Sequence, residues 1–202
     1  LFRSLQLLNR LLGKPSPDLG AAREAATISI GEIRRVAALL EEFLQFARPE
    51  KPRRSKTDLR RICDDVATLC RVEAEAAQID IRVSGEAVLE LHADDARMRQ
   101  VVLNLVRNAI EAVRCNGHVH IDVSRVGKVA RVRVEDNGPG LVADEVRIFQ
   151  PFFTTKEQGT GLGLAITHRI VTDHGGDIVV ESQPGKTIFT VMLPLSEDTA
   201  VP

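Results

Sequence analysis

No stretch of this 202-residue chain approaches the ~20 consecutive apolar residues that a bilayer-spanning helix requires. The expectation is a soluble chain with no membrane contact of its own; in a membrane receptor, the span would lie elsewhere. Neither sign of charge dominates. Twenty-seven Lys and Arg against 28 Asp and Glu leave a net charge of −1, which implies no nucleic-acid or membrane surface. Cysteine is scarce: Cys63, Cys70 and Cys115 fall in no metal-ligand spacing, and an odd count without a leader peptide fits a reducing cytosol. Cys63 and Cys70 lie seven apart on one helical face and read as core. Two common phosphate motifs are also missing: no G-K-[ST] ending for a P-loop, and no G-x-G-x-x-G.

What is present suffices for a real core. The composition is 44% hydrophobic, and the length allows one or two domains. Residues Leu1 to Leu12 place leucines at 1, 5, 8 and 12 on one helical stripe, and GKPSPD breaks it. Asp18 opens a longer helix to about Ala47, with Ile28, Ile33, Val36, Leu40, Phe43 and Leu44 on one side. A pair of helices with such a seam implies a partner, most simply a second copy completing a four-helix bundle; packing on the rest of the chain is the alternative. The charged, proline-bearing stretch Arg48 to Asp58 reads as a linker. Beyond it, Leu59 to Gln78 and Asp95 to Val113 are helical, IDIRVSG and VLELHAD are short strands, and HVHIDVSRVGKVARVRVED is a hairpin. IVTDHGGDIVVESQ passes from helix into strand, and KTIFTVMLP is the last strand. Strands and helices segregate, so the expected fold is an α/β sandwich, a mixed sheet with helices on one face.

The stretch from Asp136 to Leu164, DNGPGLVADEVRIFQPFFTTKEQGTGLGL, organises the chemistry. Asp136 ends an alternating strand, where its carboxylate can accept a hydrogen bond from the exocyclic amine of adenine and so disfavour guanine. Gly138 and Gly140 bring backbone within contact of a flat ring, which a Cβ would obstruct. A bare DNG or PG hairpin turn explains the same residues. In the second turn, GTGLGL, Gly159, Gly161 and Gly163 run into a helix whose free N–H groups and dipole suit phosphate. Thr154, Thr155 and Lys156 stand just upstream, within reach of terminal phosphates.

In QVVLNLVRNAIEAV, Asn104 and Asn108 are i and i+4, with their amides on one face of an otherwise apolar helix. An amide oxygen is a hard ligand suited to Mg²⁺. Satisfaction by backbone is the alternative reading.

NLVRNAIEA, DNGPG, IFQPFF and GTGLGL, in this order and at these separations, resemble the N box, first glycine box, F box and second glycine box of the sensor histidine kinases, in the superfamily that includes gyrase and related chaperones. The resemblance covers about residues 55 to 195. The hairpin ending FLQFARPEKP is similar to the second half of a dimerisation and phosphotransfer domain of nitrogen-regulation type. The implied organisation is a helical hairpin over residues 1–52 and an ATP-binding catalytic domain of histidine kinase/gyrase type over residues 53–202.

The resemblance implies ATP and Mg²⁺ as ligands, with Asn108 on the metal and Asn104 beside it. Asp136 would meet adenine, Gly138 and Gly140 would line the base, and Thr187 would touch the base side. Gly159, Thr160, Gly161, Leu162 and Gly163 would hold phosphates, with Thr155 and Lys156 toward the terminal ones. Phe149 and Phe152 would belong to a mobile lid between Gly140 and Gly159, core aromatics being the alternative. Asn104 stands where hydrolytic relatives carry a glutamate base; an amide cannot serve so, which favours transfer over hydrolysis. Glu111, one turn further along, is a poorer base than that glutamate.

The resemblance also implies a phosphoacceptor histidine on the first hairpin helix, yet His92, His118, His120, His168 and His174 all lie later. The acceptor is expected upstream of Leu1, and this chain is not expected to phosphorylate itself. The implied activity is transfer of the ATP γ-phosphoryl group to a histidine and thence to an aspartate of a response-regulator receiver domain, by a homodimer in the cytosol or in the cytosolic part of a membrane-bound sensor. A nucleotide-gated interaction module without transfer is the second reading. An anti-sigma-type serine kinase is disfavoured by the hairpin.

Overall fold

The computed structural model describes residues 2–13, 18–47, 51–141, 147–156 and 159–195. Two compact units emerge, Leu1–Pro49 and Glu50–Pro202. In the first, α1 (Phe2–Leu12) packs along α2 (Leu19–Ala47). Asp18 starts α2 as expected, its Oδ1 accepting the Ala21 N–H at 3.0 Å. Along α2, Ala22, Ala25 and Ser29 are buried, whereas Ile33, Val36, Leu40 and Leu44 remain about half exposed at 50, 53, 56 and 49%. Those four positions are spaced by three and four residues, so they form one continuous exposed apolar seam.

The second unit is a two-layer sandwich. Five strands, β2 (Ile79–Gly85), β4 (Gly117–Val126), β5 (Val129–Asp136), β6 (Asp177–Gln183) and β7 (Lys186–Pro194), form one sheet in the order β2-β4-β5-β7-β6. β2 and β4 are parallel and the other pairs antiparallel, so the sheet is mixed. Alternation assigns its faces: Val119, Ile121, Val123, Ala130, Val132 and Val134 are buried, while polar residues between them face the other way. α3 (Leu59–Ala76), α4 (Asp95–Val113) and α5 (Gly163–Asp173) pack on the sheet. Cys63 and Cys70 are both buried in α3, and burial pushes the Cys63 thiol to about 12, so it behaves as a core side chain.

Two elements differ from expectation. Ser55–Asp58 is not linker but strand β1, paired antiparallel with β3 (Glu90–Ala93) in a separate two-stranded ladder. Its burial is carried by Thr57 alone, whose Oγ1 donates to Ala93 O at 3.0 Å; Asp58 caps α3 and also accepts the Leu89 N–H at 3.0 Å. A strand of Ser-Lys-Thr-Asp has no hydrophobic alternation to reveal it. Arg53 and Arg54 are likewise tied down, through the Asp94 carboxylate and Asp173 O, both at 2.8 Å. The remainder of the expected linker, Arg48 to Glu50, lies outside the described residues. The second addition is a short 3-10 turn, Arg147–Phe149.

His174 closes α5 and also joins it to α4. Its Nδ1 lies 2.7 Å from Ile170 O, and its Nε2 accepts the Asp94 N–H at 3.0 Å. These partners specify a neutral ring with the proton on Nδ1. Burial chiefly lowers the His174 pKa from its ordinary value of 6.5. The folded state therefore resists a proton that the unfolded chain accepts, so this contribution to stability is complete above about 6.5 and declines as pH falls below it. Denaturant unfolding at pH 7.5, 6.5 and 5.5 should show that acid limb. His174→Gln, which does not titrate, should flatten it, and an unchanged limb would show that this ring is not its source.

Candidate functional site

The site is built on α4. Asp94 caps it, accepting the Arg97 N–H at 3.2 Å, a contact of the kind that contributes ~1 kcal/mol. The helix buries Met98, Val101, Val102, Leu105, Val106, Ala109 and Ile110. At 3.6 residues per turn, Asn104, Asn108 and Glu111 then share the remaining face.

The two asparagines do different things. Asn104 Nδ2 donates to Gly163 O at 3.2 Å and to Thr167 Oγ1 at 3.4 Å, tying α4 to the first turn of α5. The backbone-satisfied reading thus describes Asn104. Asn108 directs its Oδ1 at the Lys156 ammonium, 3.0 Å away, and the same ammonium pairs with the Glu111 carboxylate. Asn108 therefore presents its amide oxygen, not its amine, to a cation.

α5 begins without any side-chain cap, so its first N–H groups have no such partner. Before it, Thr160 Oγ1 accepts the Leu162 N–H at 3.1 Å, and Leu162 is buried as an anchor. Gly161 has φ +69°, and a Cβ there would lie 2.5 Å from the Phe152 carbonyl carbon; Gly161 O accepts the Phe152 N–H at 2.9 Å. The turn is thus folded tightly over the Phe152 backbone. At Gly159 a Cβ would meet Thr154 Oγ1 at 2.4 Å.

At the other glycine turn, Asp136 is buried at the end of β5, and its Oδ1 accepts the Gly138 N–H at 2.9 Å. Burial is the largest influence on its carboxyl and raises its pKa, with Glu135 reinforcing and the Gly138 N–H and His118 opposing. A donor brought to this carboxylate would offset the cost of burying it. A Cβ at Gly138 would meet that carboxylate at 2.8 Å and the Ala112 backbone at 3.1 Å; at Gly140, with φ +86°, it would meet Gln183 O at 2.7 Å. Contacts within the protein alone therefore demand both glycines. Thr187 pairs directly with Asp136 across β5 and β7, so the two buried side chains share the helix-facing side of the sheet.

The structure thus groups Asp136 with Gly138 and Thr187, Asn108 with Lys156, and Asn104 with Gly163. Thr155 is exposed on the approach to Lys156. Phe149 is half-buried against α5, its ring centroid 5.4 Å from that of His168, whereas Phe152 is 61% exposed and is no core aromatic. The expected lid falls partly on residues 142–146 and 157–158, outside the described residues. Two polar side chains escaped the sequence reading. Thr167 receives Asn104, and Ser182 accepts the Leu141 N–H at 2.8 Å while lying 3.2 Å from Thr187 Oγ1. Ser182 carries no motif signal because it reads only as a polar residue near the end of a strand; Thr167, four after Gly163, could have been found from helical spacing.

A nucleotide and a metal ion would fit these residues on their chemistry: an amide oxygen already turned toward a cation, an uncapped helix start after a glycine turn, and a buried strand-end carboxylate. Residues 93–197 match the family described as histidine kinase-, DNA gyrase B-, and HSP90-like ATPase. The sensor histidine kinase ZraS of Escherichia coli (strain K12) is 36% identical over 196 residues, 96% of this chain and 42% of ZraS. The chain thus spans about two fifths of that relative's length. The solved catalytic domain of histidine kinase ThkA superimposes with a TM-score of 0.66 at 35% identity, covering 70% of this chain and 95% of that one. ThkA in complex with the response regulator TrrA gives 0.78 at 26% identity, covering 96% of this chain and 57% of that one. The conjunction of four ordered boxes, a mixed sheet under three helices and these likenesses places the chain in the histidine kinase-, DNA gyrase B-, and HSP90-like ATPase family, among the two-component sensor histidine kinases.

Proposed function

We propose that the chain is the ATP-dependent protein-histidine kinase core of a two-component signal transduction system. The observation that carries this reading is the meeting of Asn108 Oδ1 with the Lys156 ammonium at 3.0 Å on α4, which joins a metal-type oxygen and a phosphate-type cation. Asp136 would orient adenine, with Gly138, Gly140 and Thr187 around the base. Gly159, Thr160, Gly161, Leu162 and Gly163 would wrap the phosphates against the uncapped start of α5. Asn108 would hold Mg²⁺, which when bound neutralises charge on the phosphate oxygens.

Chemistry would then be positioning plus charge stabilisation. Lys156 and Thr155 address the terminal phosphoryl group; its bond to the bridging oxygen breaks, a phosphorus–nitrogen bond forms on an acceptor histidine, and ADP leaves. Asn104 keeps its part by holding Gly163, and an amide on that face supports transfer over hydrolysis. Among this chain's own histidines, His174 has both ring nitrogens engaged and His120 Nε2 lies 2.7 Å from Ser84 Oγ. These contacts engage both rings within the catalytic unit and support an acceptor histidine on a dimerisation hairpin. The α2 seam supports a homodimer, and the likeness to ThkA, solved in complex with a response regulator, supports a receiver-domain aspartate as the next acceptor.

Incubation with Mg²⁺ and γ-labelled ATP, alongside a histidine-bearing helical hairpin, should place acid-labile label on that hairpin. ATP bound with no label on a hairpin shown to dock would refute the transferase reading in favour of a nucleotide-gated module. Rapid release of free phosphate alone would make the chain an ATPase.

Asp136→Asn keeps an acceptor for the Gly138 N–H but turns N–H donors toward the base. ATP should then bind ~10-fold more weakly, the equivalent of about 1.4 kcal/mol, with the ATP-over-GTP preference narrowed in calorimetric titration. An unaltered preference would remove Asp136 from base recognition.

Deleting residues 1–47 should yield a monomer by light scattering that still binds ATP. A deletion product that stayed dimeric would place the dimer contact elsewhere.

A further inference from the structure

Lys156 is held at both ends. Its backbone N–H donates to Thr154 Oγ1 at 3.1 Å and its carbonyl accepts the Gly159 N–H at 3.2 Å, fixing the base of the side chain in a small turn. Its ammonium crosses to α4, a sequence separation of 45 to Glu111 and 48 to Asn108. Asn108 and Glu111 are three apart on one helix face, so their oxygens converge on a single nitrogen.

The Glu111 pair is too exposed to matter much for folding: the two side chains are 49% and 42% accessible, a setting in which ion pairs contribute little. Its value lies in geometry. A lysine head is a compact point charge on a flexible four-carbon stem, and one neutral amide acceptor is a weak hold on it. The carboxylate supplies a charge-assisted second hold, and among the described residues these two acceptors leave the ammonium's third N–H for another. A divalent cation on Asn108 would repel a neighbouring ammonium; a carboxylate one turn along would keep that ammonium in place.

We propose that Glu111 is a positioning residue for Lys156, holding its ammonium on the face of α4 that receives the terminal phosphates. The proposal rests on the reading of Lys156 as a phosphate contact. Glu111 acts through the lysine and neither abstracts a proton nor touches the nucleotide.

The test is a double-mutant cycle on the full chain, with ATP and ADP affinities measured by calorimetry in Mg²⁺ for the parent, Glu111→Gln, Lys156→Gln and the double variant. Lys156→Gln should weaken ATP ~10-fold while changing ADP little, since charge-assisted contacts to the last phosphate are lost. Glu111→Gln should weaken ATP ~3- to 10-fold with the same loss of ATP-over-ADP preference, yet add less than ~2-fold once Lys156 is already Gln. Glu111→Asp, one methylene shorter, should fall between. Thermal midpoints should be unchanged throughout, separating positioning from folding. Unchanged or tighter ATP binding in Glu111→Gln, or a loss that persists in full beside Lys156→Gln, overturns the proposal. A silent Lys156→Gln overturns the phosphate reading itself, and the proposal with it.

Discussion

The hydrogen bond from Asn104 Nδ2 to Gly163 O is the constraint on which the site's assembly depends. α4 is fixed by its apolar face, and the second glycine turn is a loop with few buried side chains besides Leu162. A single amide transmits the position of the first to the second, and Thr167 Oγ1 supplies a second anchor one turn along. His174 does the same at the far end of α5, meeting the N-cap of α4. The two helices are thus joined by polar contacts near both ends of α5.

Polar contacts of this kind suit a site that must stay in register yet remain open to a ligand. A deep apolar contact would fix α5 equally well but would bury the backbone N–H groups at its start. The uncapped beginning of α5 follows: Asn104 engages a carbonyl of the first turn and leaves its donors alone. Asp136 shows the complementary device, a carboxyl buried at a strand end at some cost and partly compensated by one backbone N–H.

Much of this was legible in the sequence because it rests on periodicity and on glycine. α4 begins and ends where its pattern predicts, and the five main strands lie where the sequence reading put them. The glycine turns announced themselves because no other residue fits, although the atoms that exclude a Cβ, in Ala112, Gln183 and Phe152, could not be named from sequence. β1 was illegible because its one buried side chain is a threonine among charges. The division of labour between Asn104 and Asn108 was equally hidden. Helical spacing puts both on one face, but which of them meets a carbonyl and which a cation depends on α5 and on Lys156, placed there by non-local packing. Glu111 read only as a poor base for the same reason, since its partner lies 45 positions away.

The rung joining Asp136 to Thr187 closes the base of a long excursion, because the chain leaves β5 at that point and re-enters beside it on β7. Both glycine turns, α5 and β6 are threaded between the two residues of that one terminal rung. Loop-closure entropy grows only with the logarithm of length, about 0.6 kcal/mol per doubling of a flexible segment. Length changes that spare Ile148, Phe149, Phe152 and the second glycine turn would therefore leave the sheet register untouched. The architecture lets the stretch between the two glycine turns change length over evolutionary time while the Asp136 carboxylate stays where the ladder sets it.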